Sequence, residues 1–265
     1  MDRRWKRRAA ALLTALALTI PARAAQIEAD GQTLNASDAW VEEGTSYVTL
    51  RAFSALTGGT LTWTGDRARL TGAGLELEAV PGALYVTAND RALYVPGGVR
   101  VENGVTVLPL SVLANAAGAE LTWDGENAAT RLKLTGAVPP QASYDETDLY
   151  WLSRIISAES RGEPLLGQIA VGNVVLNRVA SGQFPNTVKE VVFDRKYGVQ
   201  FEPVSNGTIY DQPTDSAVLA AKLCLEGAAP VGDSLYFYAP ALSAGTWIST
   251  SRAYYGTIGC HKFYG

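Results

Sequence analysis

One carboxylate in this 265-residue chain stands where a carboxylate is costly. The run from Asp148 to Ser160 has helical periodicity. At 100° per residue, with Leu152 at zero, Leu149 falls near about +60°, Ile156 about +40° and Ile155 about −60°. Glu159 falls near about −20°, inside the apolar stripe. Desolvation there raises a carboxyl pKa and keeps the proton on near neutral pH. A protonated Glu in a partly apolar cleft is what a glycosidase uses to donate a proton to a leaving oxygen. The competing reading places Glu159 in the last turn as a surface acid or as an ion-pair partner of Arg161 or Arg178.

Sugar recognition draws on flat aromatic faces and amide hydrogen bonds. Gln200, Phe201, Tyr236, Tyr238 and Trp247 are of that type. Phe201 and Tyr236 read equally well as core. Gln168 sits on the most apolar helix, where it either contacts substrate or caps a buried backbone group. Arg252 is a candidate for an acidic peptide stem, or a surface charge. His261 is the single histidine, and with two cysteines it falls short of the ligand set of a usual zinc site; no metal and no cofactor are expected.

These residues lie in the second of two unlike halves. The N-terminus carries Arg3, Arg4, Lys6, Arg7 and Arg8, then an apolar run from Ala9 to Ile20, then Pro21 and Ala22-Arg23-Ala24. That order is a secretory signal peptide over residues 1–24, with an uncleaved anchor as the alternative. The segment holds six basic residues and one acid, so the 22 basic and 26 acidic residues of the chain fall to 16 and 25 on its removal, a net charge of −9. An acidic chain without a basic stripe is a poor nucleic-acid binder. Cys224 and Cys260 form an even pair, which in an exported protein suggests a disulfide; two free cysteines are the alternative.

Residues 26–136 contain an internal repeat. The stretch from Val48 to Trp63 is echoed 60 residues later from Leu108 to Trp123. Each copy reads as a strand, a helix ended by Gly58 or Gly118, and a strand closing on Trp. Alternating segments follow, Arg67 to Leu77 and Ala129 to Leu134. Between them Ala83 to Val95 predicts a hairpin turning near Asn89-Asp90. This half resembles the small α+β module called the copper amine oxidase N-terminal-like domain, although it has no His and no Cys to bind copper. Its expected role is adhesion or positioning at a wall, or that of a plain spacer.

Residues 137–144, with Pro139-Pro140, read as a linker. Residues 145–265 predict a mainly helical domain. Helices are expected over about 148–160, over Leu165 to Val179, from the capping-box spacing of Thr187 and Glu190, and from Pro213 to Glu226. Ser234 to Tyr238 and Gly245 to Ile248 predict aromatic strands around a turn. The fold class expected for the whole chain is α+β.

Several dispersed segments carry a second resemblance. They are Ser157-Ala158-Glu159-Ser160-Arg161-Gly162-Glu163-Pro164, Gly167-Gln168-Ile169-Ala170-Val171, Val174 to Val179, Phe184-Pro185-Asn186-Thr187, Gln200-Phe201, Leu235 to Tyr238, Trp247-Ile248 and Ile258 to Phe263. In this order they resemble the spore cortex-lytic (SleB/CwlJ-type) cell-wall hydrolase family across nearly all of 147–265. The family commonly reads Gly-Glu-Ala-Arg-Gly-Glu; here Ala158 and Ser160 replace the first Gly and the Ala, and both acids remain. The family often has Asn where Cys260 stands, a departure that fits a disulfide to Cys224. The resemblance implies a lysozyme-like helical fold with a small β-element. It also implies Glu159 as catalytic acid and lytic transglycosylation of peptidoglycan between N-acetylmuramic acid and N-acetylglucosamine.

One carboxylate suffices for that reaction, because the sugar's own 6-hydroxyl is the nucleophile. The alternatives are a water-dependent muramidase or glucosaminidase using Glu163 or Glu202, and a non-enzymatic wall-binding protein. Such a protein would be secreted to the cell wall or spore envelope, without a transmembrane segment after signal cleavage. Its partner would be peptidoglycan, with room for an accessory or regulatory wall protein.

Overall fold

The computed structural model describes residues 26–196, 198, 200–243 and 246–265; the expected signal peptide lies outside them. The first half runs β1 (Gln26–Ala29), β2 (Gln32–Thr33), β3 (Ala39–Glu42), β4 (Thr45–Thr49), α1 (Leu50–Thr57), β5 (Thr60–Thr64), β6 (Arg67–Gly72), β7 (Leu75–Ala79), β8 (Tyr85–Ala88), β9 (Arg91–Tyr94), β10 (Arg100–Glu102), β11 (Val105–Pro109), α2 (Leu110–Ala117), β12 (Glu120–Asp124) and β13 (Ala129–Lys133). The second half runs α3 (Glu146–Ser160), α4 (Leu165–Ala180), α5 (Val188–Val192), α6 (Glu202–Asn206), α7 (Asp215–Leu225), β14 (Tyr236–Tyr238), α8 (Thr246–Ser251), β15 (Tyr254–Ile258) and β16 (His261–Tyr264). The protein is thus α+β, with a strand-rich first half and a mainly helical second half. No helix among the described residues is long and apolar enough to cross a membrane.

The repeat is realised as two strand-helix-strand units, β4-α1-β5 and β11-α2-β12. Both eight-residue helices end on a left-handed glycine, Gly58 at φ 64° and Gly118 at φ 65°. The central strands β4 and β11 pair antiparallel with Val48 opposite Leu108. Those two residues are repeat equivalents, so a local two-fold relation runs between the copies. The expected hairpin forms between β8 and β9, with Asn89 and Asp90 both at positive φ (49° and 62°), the signature of a type I′ turn. Leu50, Phe53, Leu70, Leu77, Leu108, Leu110, Leu113 and Leu132 fill the core of this half.

In the second half, α3, α4 and α7 bury Leu152, Ile155, Ile156, Ile169, Val175 and Ala221 against one another. Side-chain caps start three of the helices. Asp145 accepts from the N–H groups of Thr147 and Asp148. Thr187 Oγ1 accepts from Glu190 N–H, the first half of the expected capping box, while its hydroxyl donates to the Glu190 carboxylate, and Thr214 accepts from Ala217. Gly172 lets the three helices meet closely: a Cβ there would lie 2.7 Å from both Cys224 Sγ and Ile156 Cδ1.

The two halves touch through the β8–β9 hairpin. Ala92, Tyr85 and Tyr94 pack on the helical core. Arg91 donates from Nε and Nη2 to both carboxylate oxygens of Glu226, just past α7, at 2.6–3.1 Å. It also donates to the Asn115 side chain and carbonyl. The segment before α3 lies along the same hairpin, with Ala142 N–H donating to Asn89 O and Ala92 N–H to the Tyr144 hydroxyl.

Two expectations are corrected. Trp247 and Ile248 do not form a strand; they lie on α8, where the Thr250 and Ser251 hydroxyls donate back to Trp247 O and close the turn. The β-element is instead a three-stranded sheet in the order β14-β16-β15, with the hairpin turning at Gly259-Cys260. A four-residue aromatic and β-branched run is too short for periodicity to separate strand from helix. The Cys224–Cys260 disulfide is also absent, and both cysteines are free. Cys224 is buried among the three helices and donates to Ile169 O. Cys260 is exposed in the β15–β16 turn, so the two belong to different layers. Burial pushes the Cys224 thiol well above its usual pKa, as expected of an inert core cysteine.

Candidate functional site

Glu159 occupies the last turn of α3, half-buried above Ile155 and Ile156. Burial pushes its carboxyl up to about 7, and the Glu202 carboxylate at the start of α6 reinforces the rise; the Arg178 guanidinium opposes it. Both flanking charges come from other elements. Helix α4 carries Arg178 in its last turn, and α6 carries Glu202 in its first.

Arg178 is only 5% exposed. Its Nε donates to Leu235 O at 2.8 Å, and the guanidinium sits 4.9 Å from the Phe184 ring, 5.2 Å from Phe201 and 5.6 Å from Tyr236. Burial pulls its pKa down to about 10, so it remains a cation at neutral pH. Arg178 is also one wall of a cleft of about 730 Å³, which Tyr236, Trp247, Arg252, Gln200, Phe184 and Lys196 help to line. Arg252 donates from Nη2 to the Tyr236 hydroxyl at 3.1 Å and stacks on Tyr236 and Trp247. Trp247 is 58% exposed and meets Tyr236 edge-to-face at 5.6 Å. The cleft therefore combines aromatic faces, a carboxamide and guanidinium donors; Glu159 is not among its lining residues and is linked to it electrostatically through Arg178.

The structure brings four of the expected binding residues to this cleft: Gln200, Tyr236, Trp247 and Arg252. It does not bring the other three. Phe201 is 2% exposed; it packs on Phe237 beneath Arg178 and is core. Tyr238 stacks on Tyr264 across β14 and β16, away from the cleft lining. Gln168 is buried on α4 and donates to Glu163 O at 2.9 Å, bracing the α3–α4 turn. Arg178, Phe184 and Lys196 were not singled out as cleft residues from sequence. For Arg178 a signal existed, because it is a cation near the end of a helix apolar on most sides, just as Glu159 is an acid on an apolar stripe.

Glu163 serves as a structural brace. Its Oε2 accepts from Cys260 N–H at 2.9 Å, and its Oε1 lies 3.9 Å from His261 Nδ1. Gly259 at φ +57° makes this contact feasible, since a Cβ there would overlap Glu163 Oε2. His261 is buried edge-to-face on Phe237, and desolvation holds its pKa below the usual value against the opposing pull of Glu163. Among the described residues no group of three or more His, Cys, Asp or Glu is placed to hold a metal.

The raised Glu159 pKa has a cost in stability. The folded state binds this proton more tightly than the unfolded chain does, so its contribution is favourable below about pH 4.5 and is lost as the pH rises through about 7. Glu159→Gln removes the penalty. The variant is expected to be more stable than the parent by about 1–2 kcal/mol at pH 8, and equal to it near pH 4, allowing for partial solvent screening. Urea unfolding at the two pH values measures this; a gain that does not change with pH would contradict the assignment.

Residues 162–264 match the family described as Cell Wall Hydrolase, and residues 28–132 match the copper amine oxidase N-terminal domain. A spore cortex-lytic enzyme of Bacillus cereus is 40% identical over 120 residues, 45% of each chain. The cell wall hydrolase CwlJ of Oceanobacillus iheyensis is 31% identical over 103 residues, covering 37% of this chain and 72% of that one. The solved catalytic domain of the germination-specific lytic transglycosylase SleB from Bacillus anthracis is 38% identical, covering 48% of this chain and all of that one, with a TM-score of 0.43. The chain spans about half the length (45%) of the spore cortex-lytic enzyme from Bacillus cereus. The matched residues 162–264 contain Glu163, Arg178, the cleft residues and the β15–β16 turn, and by its likeness to CwlJ the chain belongs to the cell wall hydrolase family.

Proposed function

We propose that this protein cuts the glycan strands of peptidoglycan as a lytic transglycosylase, between N-acetylmuramic acid and N-acetylglucosamine, with Glu159 as its single catalytic acid. The observation that carries the reading is a carboxyl with a pKa near 7, electrostatically coupled to Arg178 in the wall of a cleft of aromatic, amide and guanidinium groups. In the first step the Glu159 proton passes to the glycosidic oxygen and the C–O bond breaks, leaving an oxocarbenium-like sugar. The Glu159 carboxylate then takes the proton of the sugar's own 6-hydroxyl, whose oxygen closes a 1,6-anhydro ring and restores the acid. Arg178 limits the rise in the Glu159 pKa, so the group can both give and accept the proton near neutral pH.

Gln200, Tyr236, Trp247 and Arg252 bind the glycan. The half spanning 26–136 positions the enzyme on the wall through the interface at Arg91, and the export signal at 1–24 delivers it there. The names of the spore cortex-lytic relatives favour cortex as the wall attacked.

The test is digestion of purified cortex and vegetative peptidoglycan by the protein lacking residues 1–24, with products read by mass spectrometry. Anhydro ends are expected. Reducing ends would replace this reading with a water-dependent hydrolase in which Glu202, the carboxylate that faces Glu159, takes part. No product from either wall would leave a binding protein.

A further inference from the structure

Charge is distributed unevenly around the cleft. The chain as a whole is acidic, at −4. Yet the described residues lining the cleft include three basic side chains, Arg178, Lys196 and Arg252, and no carboxylate. The carboxylates that act on Arg178 electrostatically are Asp194 and Glu159, and neither is among the lining residues. Two of these cations also have unspent donors. Arg178, nineteen-twentieths buried, has no partner for Nη1, and Arg252 has none for Nε. Buried polar groups are nearly always paired, and an unpaired N–H on a desolvated cation is costly. Both guanidiniums lie over the Tyr236 ring, so their free donors belong to one patch.

A neutral glycan does not need this arrangement. Sugar hydroxyls and ring faces are served by Gln200, Tyr236 and Trp247. A carboxylate does need it, because it offers two oxygens to N–H donors held apart on planar cations, and charge-assisted bonds are about twice as strong as neutral ones.

We infer that the Arg178–Tyr236–Arg252 wall is a carboxylate subsite, taking the acidic end of a peptide substituent carried by the glycan. This inference rests on the peptidoglycan reading above. In it the sugar hydroxyls and N-acetyl groups are neutral, and the lactyl carboxyl of a muramic residue that bears a peptide is amide-bonded, so the free acid beside such a residue belongs to the peptide. Both arginines are specificity-determining residues, which select strands bearing a free carboxylate close to the cut.

The probe is N-acetylmuramoyl-L-alanine against its C-terminal carboxamide, titrated calorimetrically into the full mature chain with Glu159→Gln, so that binding is read without turnover. The carboxylate is expected to bind about tenfold more tightly than the amide, about 1.4 kcal/mol. Adding Arg252→Gln is expected to cut that ratio at least threefold, whatever it does to the affinity for the amide, and Arg252→Lys to restore part of the ratio. Arg252 is half-exposed, so its variants test the site without the folding risk of altering buried Arg178.

Equal affinity for the two probes, no binding of the carboxylate, or an undiminished ratio in Arg252→Gln would each overturn the subsite. Binding selectivity is independent of the product analysis. Anhydro products with no carboxylate preference would therefore remove the subsite alone, whereas carboxylate binding without glycan cleavage would remove the enzymatic reading alone.

Discussion

Under the proposed function, Glu159→Gln is expected to lower the rate of glycan cleavage by about 10²–10⁴-fold, the range for loss of a positioned general acid, and to leave KM within about threefold. Glutamine keeps the volume and the hydrogen-bonding capacity of the side chain but cannot deliver a proton. The loss therefore falls on kcat. The parent enzyme's rate should also fall as pH rises through about 7, because the proton that burial and Glu202 hold on Glu159 is then lost. Release of soluble muropeptides across pH 5–9 measures both. A variant retaining more than about a tenth of the parent rate would show that another group supplies the proton. A Glu202→Gln variant separates the contributions further: it removes the like charge and should shift the alkaline limb to lower pH while preserving turnover.

Arg91→Ala destabilises the protein by about 3–5 kcal/mol, the cost of leaving a buried carboxylate unpaired. The Arg91 and Glu226 side chains are 8% and 13% exposed, and Arg91 makes two further bonds to Asn115 in α2. The variant leaves Glu226 desolvated at the end of α7, the helix that packs against both α3 and α4. Thermal inactivation is therefore expected at lower temperature, with earlier proteolysis between residues 134 and 145. The paired replacement Arg91→Met with Glu226→Leu should recover much of the loss, since it removes both charges together. Denaturant unfolding of the three proteins decides the matter. An Arg91→Ala variant within 1 kcal/mol of the parent, on the order of an exposed pair, would mean that the interface is open to water.

Much of this architecture follows from local patterns. The repeat announces two equivalent units because a shared hydrophobic spacing forces each to fold alike, and Gly58 and Gly118 end their helices by adopting a conformation other residues avoid. Asn89-Asp90 is legible as a turn, and Asp145, Thr187 and Thr214 as helix caps, since each interaction spans only a few residues. The unusual position of Glu159 is legible too, because helical periodicity alone places its carboxylate among Leu152, Ile155 and Ile156.

The remainder depends on residues far apart in the chain. Whether Gln168 faces sugar or the Glu163 carbonyl, and whether Phe201 is platform or core, is a matter of what packs on them from other elements. The cysteine pair could not be judged from an even count, because a disulfide needs two sulfurs in one layer and α7 buries one while the β15–β16 turn exposes the other. Arg178 joins Glu159, Tyr236 and Arg252 only when α4 is laid between α3 and the β14 strand. Burial there sets its charge environment and, through it, the acidity of Glu159. The sequence by itself determined the helix that carries Glu159 and the apolar stripe on which that carboxylate stands. Tertiary packing decided the cleft and its cations, because desolvation and Coulomb interactions depend on distances that no local pattern encodes.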